Sequence, residues 1–322
     1  MGQGARVRAM GKGLRVAVTG AAGYIGRVTI RRLAQTPGVE QVLALDTRPL
    51  PSPHPKVVVL RQSILEPLGD LLARHGVTAL VHLAFLYPPG RQGVVAGRIN
   101  REGLEAVLKA CQEAGVRQVL YFSSATVYGA HRDNPIPLTE EAPARPNRGF
   151  AYAEEKAAAE GVLRAFALQH PEACVTVLRG CVVLGPTADN FVTGALAKPF
   201  LVGVTGCDPP LQYLHEEDLA EAFVRLLQGP LPGVFNIAGE GTVHYSQAAR
   251  LLGRPLVWLP APLLYPLTDL AWRLGLQRES PAAGLDLIRW PWVVSTERLR
   301  KETGFSPRFT SQEALEAYTK GA

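Results

Sequence analysis

Residues 14 to 26 read LRVAVTGAAGYIG, and this stretch decides how the chain is organised. Leu14, Val16 and Val18 fit a short buried strand, and Thr19-Gly20 ends it at once. Glycines follow at Gly20, Gly23 and Gly26, and Arg27 to Gln35, with Val28, Ile30 and Leu33 apolar, predicts a helix. A helix start presents unpaired N–H groups and the positive end of the macrodipole, so an anion such as a pyrophosphate is stabilised there. Each glycine removes a side chain that would block that approach. With 32 glycines in the chain, the spacing alone is a weak signal. A second strand ending in an acid some 20 residues on is the context that strengthens it. Gln41 to Asp46 (QVLALD) supplies that strand and that acid.

The rest of the composition is that of an ordinary globular enzyme. At 322 residues, 47% hydrophobic and 19% charged, the chain can bury a large core. The formal charge is +6, but the basic residues are scattered without a dense run or interleaved aromatics, which argues against nucleic acid. Cys111, Cys174, Cys181 and Cys207 show no CxxC pairing, and the seven histidines form no HExxH, so no metal is expected. Residues 1–12 read as a disordered tail, and no stretch has the length and purity of a membrane span. A cytoplasmic protein is the expectation.

Along the chain, strand and helix alternate. Lys56 to Leu60 and Val77 to Phe85 predict strands, Leu65 to Arg74 a short helix, and Gly93 to Ala114 a long helix feeding a strand at Gln118 to Phe122. Alternation of this kind requires right-handed crossovers and predicts an α/β fold: a doubly wound, Rossmann-type parallel sheet covered by helices on both faces. Ligands then belong at the carboxyl ends of the strands. His82, alone in an apolar run, reads as a core residue. Ser123-Ser124-Ala125-Thr126-Val127-Tyr128-Gly129 stands at a strand end, and a helix opening near Phe150 carries Tyr152 and Lys156, four apart and therefore on one face. A lysine beside a phenol favours the phenolate, so Tyr152 is expected to act as a base near neutral pH.

With the glycine turn, the SSATVYG stretch and the Tyr152/Lys156 pair in this order, the chain resembles the extended short-chain dehydrogenase/reductases, and among them the NAD-dependent epimerase/dehydratase group typified by UDP-glucose 4-epimerase. Further matches are Val81 to Phe85, Asn100 ahead of a long helix, Val177 to Pro186, Leu214 to Phe223, Val234 to Gly239 and the terminal STERLRKETGFSPRFTSQEAL. The resemblance implies that Ser124, Tyr152 and Lys156 are catalytic: Ser124 bonds the reacting oxygen, Tyr152 carries the proton, and Lys156 holds the nicotinamide ribose. It implies a cofactor site made of Gly20, Gly23, Tyr24, Ile25, Gly26, Asp46, Ser63, Leu83, Ala84, Phe85 and Asn100, together with Tyr152 and Lys156. Tyr87, Ser124, Ala125, Thr126, Arg179 and Cys181 would face the substrate. Asp46 would accept from the adenosine ribose and repel a 2′-phosphate, so NAD is expected over NADP, a preference that Arg48 would soften.

The expected organisation is a Rossmann domain at 13–185 that also receives 214–241, with a smaller substrate-binding lobe from 186–213 and 242–322. A homodimer through the two long helices is implied by the family, with a small molecule as substrate. Several positions depart from the family pattern. Ser63 stands where an acid often meets the adenine, Ala125-Thr126 replaces the Asp-Glu of the 4,6-dehydratases, Gly180-Cys181 occupies the place of an asparagine, and Gln212 that of an arginine. Arg179, Lys198 and Arg289 remain as cations that could meet a diphosphate. The expected activity is hydride transfer at a secondary alcohol or ketone of a sugar nucleotide. The apolar stretches Trp258 to Leu276 and Ile288 to Val294 keep two alternatives open. One is a dehydrogenase or reductase of a non-nucleotide apolar substrate, like the hydroxysteroid and dihydroflavonol branches, and the other is a non-catalytic NAD-binding regulator.

Overall fold

The structure, a computed structural model, describes residues 13–52, 54–87, 93–277 and 280–321. The tail expected at 1–12 lies outside them. The first half alternates as its hydrophobic pattern requires: β1 (Leu14–Thr19), α1 (Tyr24–Ala34), β2 (Val39–Asp46), β3 (Val57–Arg61), α2 (Gly69–Arg74), β4 (Ala79–His82), α3 (Gly93–Glu113), β5 (Gln118–Ser124), α4 (Ala151–Gln169) and β6 (Cys174–Gly180). All six strands are parallel, and the strand Gly233–Ile237 adds a seventh beside β6. The sheet order is Gly233–Ile237, β6, β5, β4, β1, β2, β3, and it reverses direction at β1/β4. There the crevice for a ligand opens at the carboxyl ends.

The apolar strands are buried on both faces. One side of the sheet packs on α1 and on α6 (Glu216–Gln228), through residues such as Ile30, Leu33, Leu219 and Phe223. The other packs on α2, α3 and α4, through Leu72, Leu104, Leu108 and Leu163.

Three boundaries differ from the sequence expectation, each for a local reason. Helix α1 begins at Tyr24, directly after the turn, because Gly23 already has extended N-cap geometry. Strand β4 ends at His82 rather than Phe85, since Leu83 donates its N–H to Thr19 O at 3.2 Å and the chain then leaves the sheet. Helix α2 starts at Gly69 rather than Leu65, because Ser63–Glu66 forms a turn and Pro67 follows it.

After β6 the chain makes short paired strands, Val182–Leu184 with Tyr213–His215 and Leu201–Val204 with Leu256–Leu259, together with α5 (Phe191–Leu196), α6, α7 (Tyr245–Leu251) and α8 (Ala261–Arg273). A small separate core joins Val204, Leu264, Ala282 and Leu285. The expected lobe at 242–322 is divided by this packing. Val294, Leu299, Phe305, Leu315 and Tyr318 belong to the principal core, and Ser311 Oγ accepts from Tyr213 N at 3.2 Å.

The glycine turn is tight on all sides. Gly20 has φ +69°, and a Cβ there would lie 2.6 Å from Ala84 N. A Cβ on Gly26 would strike Gly20 O and lie 2.7 Å from Ala21 Cα. Both obstacles are backbone and cannot swing aside. Gly26→Ala is therefore expected to lower stability by about 1–3 kcal/mol, read as a shift of the denaturant midpoint at unchanged m-value; an unshifted midpoint would contradict the packing.

Candidate active site

The strand ends at the sheet reversal gather the groups expected from the sequence. The amides of Tyr24, Ile25 and Gly26 open α1, no side chain caps them, and the first turn carries no acid. Four amides at a helix start lack intrahelical partners, so this end is free to receive an anion. The Tyr24 ring turns away from the turn, and its hydroxyl donates to Glu216 Oε2 at 2.6 Å. Beside the turn, Asp46 accepts from Ala22 N at 2.9 Å and from Arg48 N at 2.9 Å. Burial alone would raise the Asp46 carboxyl, but the bonds from Arg48 and Ala22 outweigh it and hold the group below its ordinary range. The exposed Arg48 guanidinium lies 3.3 Å from Asp46 Oδ1. A glycine cradle, an open helix start and a held carboxylate fit the pyrophosphate and adenosine ribose of a dinucleotide.

Ser124 ends β5 and caps a 3-10 turn at Ala125–Tyr128. Its Oγ accepts from Thr126 N at 3.2 Å and from Thr126 Oγ1 at 2.8 Å. The Ser124 side chain lies near enough to Tyr152 to favour its ionised form. Lys156, buried on the next turn of α4, donates to Phe122 O at 2.8 Å, with its Nζ 4.1 Å from the centre of the Phe85 ring and 4.7 Å from that of Tyr121. Beneath it, His82 is buried, pairs with Thr19 Oγ1 at 2.8 Å and stacks on Tyr121. Burial, with the Lys156 charge, pushes the imidazole down to about 3 and keeps it neutral.

The charge balance of the pair differs from the sequence expectation. Tyr152 sits among Phe85, Tyr87, Phe150 and Phe191, with ring centres 5.3 to 6.0 Å from its own. Burial there pushes its phenol up to about 12, and the neighbouring Ser124 only partly offsets this. The Lys156 ammonium points to Phe122 O, and burial brings it down to about 7 against the opposing pull of Glu160 and Glu155. In this arrangement desolvation outweighs the expected lowering of the tyrosine by the lysine.

Several expected contacts go elsewhere. Arg179 does not face the cleft: it pairs with Glu160 at 2.6 Å, both side chains being 4% exposed, and stacks on Tyr128. Glu160 also accepts from Ser123 Oγ at 2.6 Å, so the ion pair braces the strand that carries Ser124. Cys181 is buried in the core, and burial pushes its thiol up. Asn100 spends its amide on Leu86 N and O, at 2.7 and 2.9 Å, and on Glu155 Oε2, at 2.6 Å. It fixes the loop carrying Phe85 and Tyr87 rather than presenting a free group. Ser63 Oγ accepts from Leu65 N at 3.2 Å. Ala125 and Thr126 are buried under the site. Gln212 exchanges bonds with Val294 N and O at 2.8 and 3.2 Å, which makes it a strut between segments.

Other site residues carried little signal in the sequence. Phe191 reaches Tyr87 and Tyr152 from the start of α5, whose Asn190/Thr193 capping box marks a helix start but not what that helix covers. Phe150 is fully buried, and a Cβ on Gly284 would lie 3.7 Å from its ring, which brings the 3-10 turn Ala282–Ile288 alongside the site. Asn147 Nδ2 donates to Asp286 Oδ2 across the same junction at 3.1 Å.

Comparison with known proteins agrees with this fold. The model of the NAD dependent epimerase/dehydratase family matches residues 16–238. An uncharacterized protein of Mycobacterium tuberculosis is 31% identical over 314 residues, covering 95% of this chain and 83% of that protein. A UDP-glucose 4-epimerase of Erwinia amylovora is 29% identical over 255 residues, covering 66% of this chain and 73% of that one. The fold is shared with the UDP-glucose 4-epimerase of Thermotoga maritima, solved with UDP-glucose, at TM-score 0.76 and 19% identity over 96% of this chain and 98% of that one. It is likewise shared with the Thermus thermophilus UDP-glucose 4-epimerase in complex with NAD, at TM-score 0.74 and 22% identity over 96% and 98%.

Two outcomes are expected. Arg179→Ala leaves Glu160 buried and uncompensated, and should cost about 3–5 kcal/mol in chemical denaturation. Lys156→Met should raise the melting temperature of the ligand-free protein at pH 6, where the folded chain must hold a buried ammonium. The lysine is lowered from 10.5 to about 7, so the wild type gains stability as pH rises from about 7 to 10.5, and the advantage of the methionine should vanish by the top of that window.

Proposed function

The chain belongs to the NAD-dependent epimerase/dehydratase family, and from that membership we propose that it moves a hydride reversibly between NAD and a secondary alcohol carbon of a sugar nucleotide. The observation that carries this reading is the convergence of Ser124, Tyr152 and Lys156 beside the uncapped start of α1, with Asp46 at its flank.

Bound NAD supplies the hydride acceptor and donor; the residues of the chain handle the proton and the position of the substrate. The amides at Tyr24 to Gly26 would bind the pyrophosphate, and Asp46 the adenosine ribose. The preference for NAD over NADP rests on the Asp46 carboxylate, whose charge opposes a 2′-phosphate. Tyr152 as phenolate, a form that the positive charge of an oxidised nicotinamide beside it would favour, would take the hydroxyl proton during oxidation and return it during reduction. Ser124, beside Tyr152, would hold the substrate oxygen as charge develops on it. Lys156 would hold the nicotinamide ribose. Leu83 to Phe85, fixed by Thr19 and Asn100, would exclude water from the reacting atoms.

Of the three cations left open by the sequence, Arg289 is the one we assign to the diphosphate. Arg179 is held in the core by its ion pair with Glu160, and Lys198 has a partner of its own. The Arg289 guanidinium stacks on Trp290 with 4.7 Å to the ring centre, and its Nε is buried without a partner. Such a group is pre-positioned for an anion. A second reading, hydride transfer on an apolar alcohol or ketone, is favoured by the ring of aromatic side chains around Tyr152.

A homodimer through α3 and α4 is part of the proposal. A groove of about 500 Å³ between these helices is lined by small residues such as Gly97, Ala158 and Gly161, which allow close approach of a second helix pair. Four unpaired cysteines support a reducing, cytoplasmic setting.

The test is to denature the purified protein, identify the nucleotide released, and assay UDP-hexoses with and without added NAD. Released NAD, with interconversion that needs no added cofactor, is the expected result. Tyr152→Phe should lower turnover by about 10²–10⁴-fold with NAD retained. Arg289→Ala should raise KM for the UDP-hexose with kcat little changed. Oxidation of apolar alcohols that needs added NAD, with UDP-hexoses inert, would establish the second reading instead.

A further inference from the structure

One buried carboxylate outside the catalytic group ties the two ends of the crevice together. Glu216 opens α6, is 2% exposed, and accepts from donors that belong to two other parts of the chain. On one side the Tyr24 hydroxyl, from the first turn of α1, donates to its Oε2 at 2.6 Å. On the other, Thr187 donates its hydroxyl to Oε1 at 2.9 Å and its N–H to Oε2 at 3.3 Å. The backbone passes close over the carboxylate as it leaves the strand Val182–Leu184, since a Cβ on Gly185 would lie 2.5 Å from Glu216 Cδ. A buried carboxylate is costly unless donors meet it, and three converge here. Burial, with the hydrogen bond to Glu216 and its charge, pushes the Tyr24 phenol far above its usual range, so the hydroxyl remains a donor.

The segment that begins at Thr187 ends on the catalytic tyrosine. Asn190 caps α5 by accepting from Val192 N and Thr193 N, each at 3.0 Å, and its Nδ2 donates to Val183 O at 3.1 Å, which fixes where that helix starts. Phe191 follows at once, its ring centre 5.3 Å from that of Tyr152 and 5.1 Å from that of Tyr87. Residues 187 to 191 therefore have one end tied, through Glu216, to the start of α1 and the other set against Tyr152. Four residue steps reach at most about 14 Å. A dinucleotide with its pyrophosphate at the α1 amides and its nicotinamide ribose at Lys156 would run between the same two points. Thr187 itself is exposed, and a strap held at an exposed residue by bonds to one carboxylate can open without disturbing the core.

Resting on the dinucleotide site proposed above, we propose that Glu216 is a positioning residue for the cofactor: accepting from Tyr24 and Thr187 together, it latches residues 187–191 across the nicotinamide half and sets the rate at which the dinucleotide leaves. Glu216 acts only through the two residues it joins. Occupation of the α1 amides and the packing of Phe191 on Tyr152 are thereby coupled.

The test measures release of NADH from the full-length protein by stopped-flow fluorescence, with excess NAD to fill the vacated site. Thr187→Val keeps the shape of the side chain and removes its hydroxyl, and should release NADH about tenfold faster, with the association rate little changed. Thr187→Ser keeps the donor and should release NADH at the wild-type rate. Tyr24→Phe removes the donor on the other side and should also speed release, and the double variant should gain less than the product of the two single effects, because both open one latch. A bond with a merely structural role would lower the melting temperature of the ligand-free protein and leave release alone. Wild-type release from a folded Thr187→Val variant would therefore overturn the proposal, as would a Thr187→Ser variant as fast as Thr187→Val. A wild type that binds neither NADH nor NADPH would instead overturn the function proposed above, and the latch with it.

Discussion

The fold depends on one close approach. Between β1 and α1 the backbone must turn within contact of the Leu83–Ala84 main chain on one side and of its own next turn on the other, and a Cβ at Gly20 or Gly26 has nowhere to go. That approach brings the ends of β1 and β4 together, leaves the α1 amides uncovered, and sets Thr19 where it holds both His82 and the amide of Ala84. The crevice exists because two side chains are absent. Everything placed around it, from Asp46 to Lys156, is positioned by strands whose spacing that turn maintains.

Behind the site runs a buried polar network that the apolar sheet must accommodate. Ser123 donates to Glu160, Glu160 pairs with Arg179, Arg179 stacks on Tyr128, and Tyr128 donates to Asn236 at 2.8 Å. Such a chain links β5, α4, β6 and the strand Gly233–Ile237 through groups that are costly to leave unpaired. Its effect is to fix the strand end at Ser124 against the first turns of α4, where Tyr152 and Lys156 stand. The lysine itself is held at a cost, since its ammonium is buried with one carbonyl and two ring faces for company. Stability is lowered at the residue that the proposed chemistry uses.

Much of this was legible in the chain. Hydrophobic alternation marked the sheet, the glycine spacing marked the turn, and the four-residue interval put Tyr152 and Lys156 on one helical face. Less legible was what each polar group would bond. Arg179 lies in a motif expected to face the substrate, and only packing shows that Glu160, nineteen residues earlier in the chain, claims it. Asn100 and Gln212 likewise turn out to hold backbone in place. Their side chains are ordinary hydrogen-bonding groups, and spacing along the chain does not say which partner will come within reach.

Sequence by itself determined the fold class, the order of the elements and the placing of Tyr152 and Lys156 on one helical face, because these follow from local periodicity, from glycine's missing side chain and from helical geometry. Tertiary structure alone decided the environment: the aromatic box that pushes Tyr152 up to about 12, the burial that brings Lys156 down to about 7, and the ion pair with Glu160 that claims Arg179. The reason is physical. Covalent neighbours set the backbone's local preferences, whereas desolvation and charge pairing depend on groups that are distant in the chain and adjacent only once it has folded.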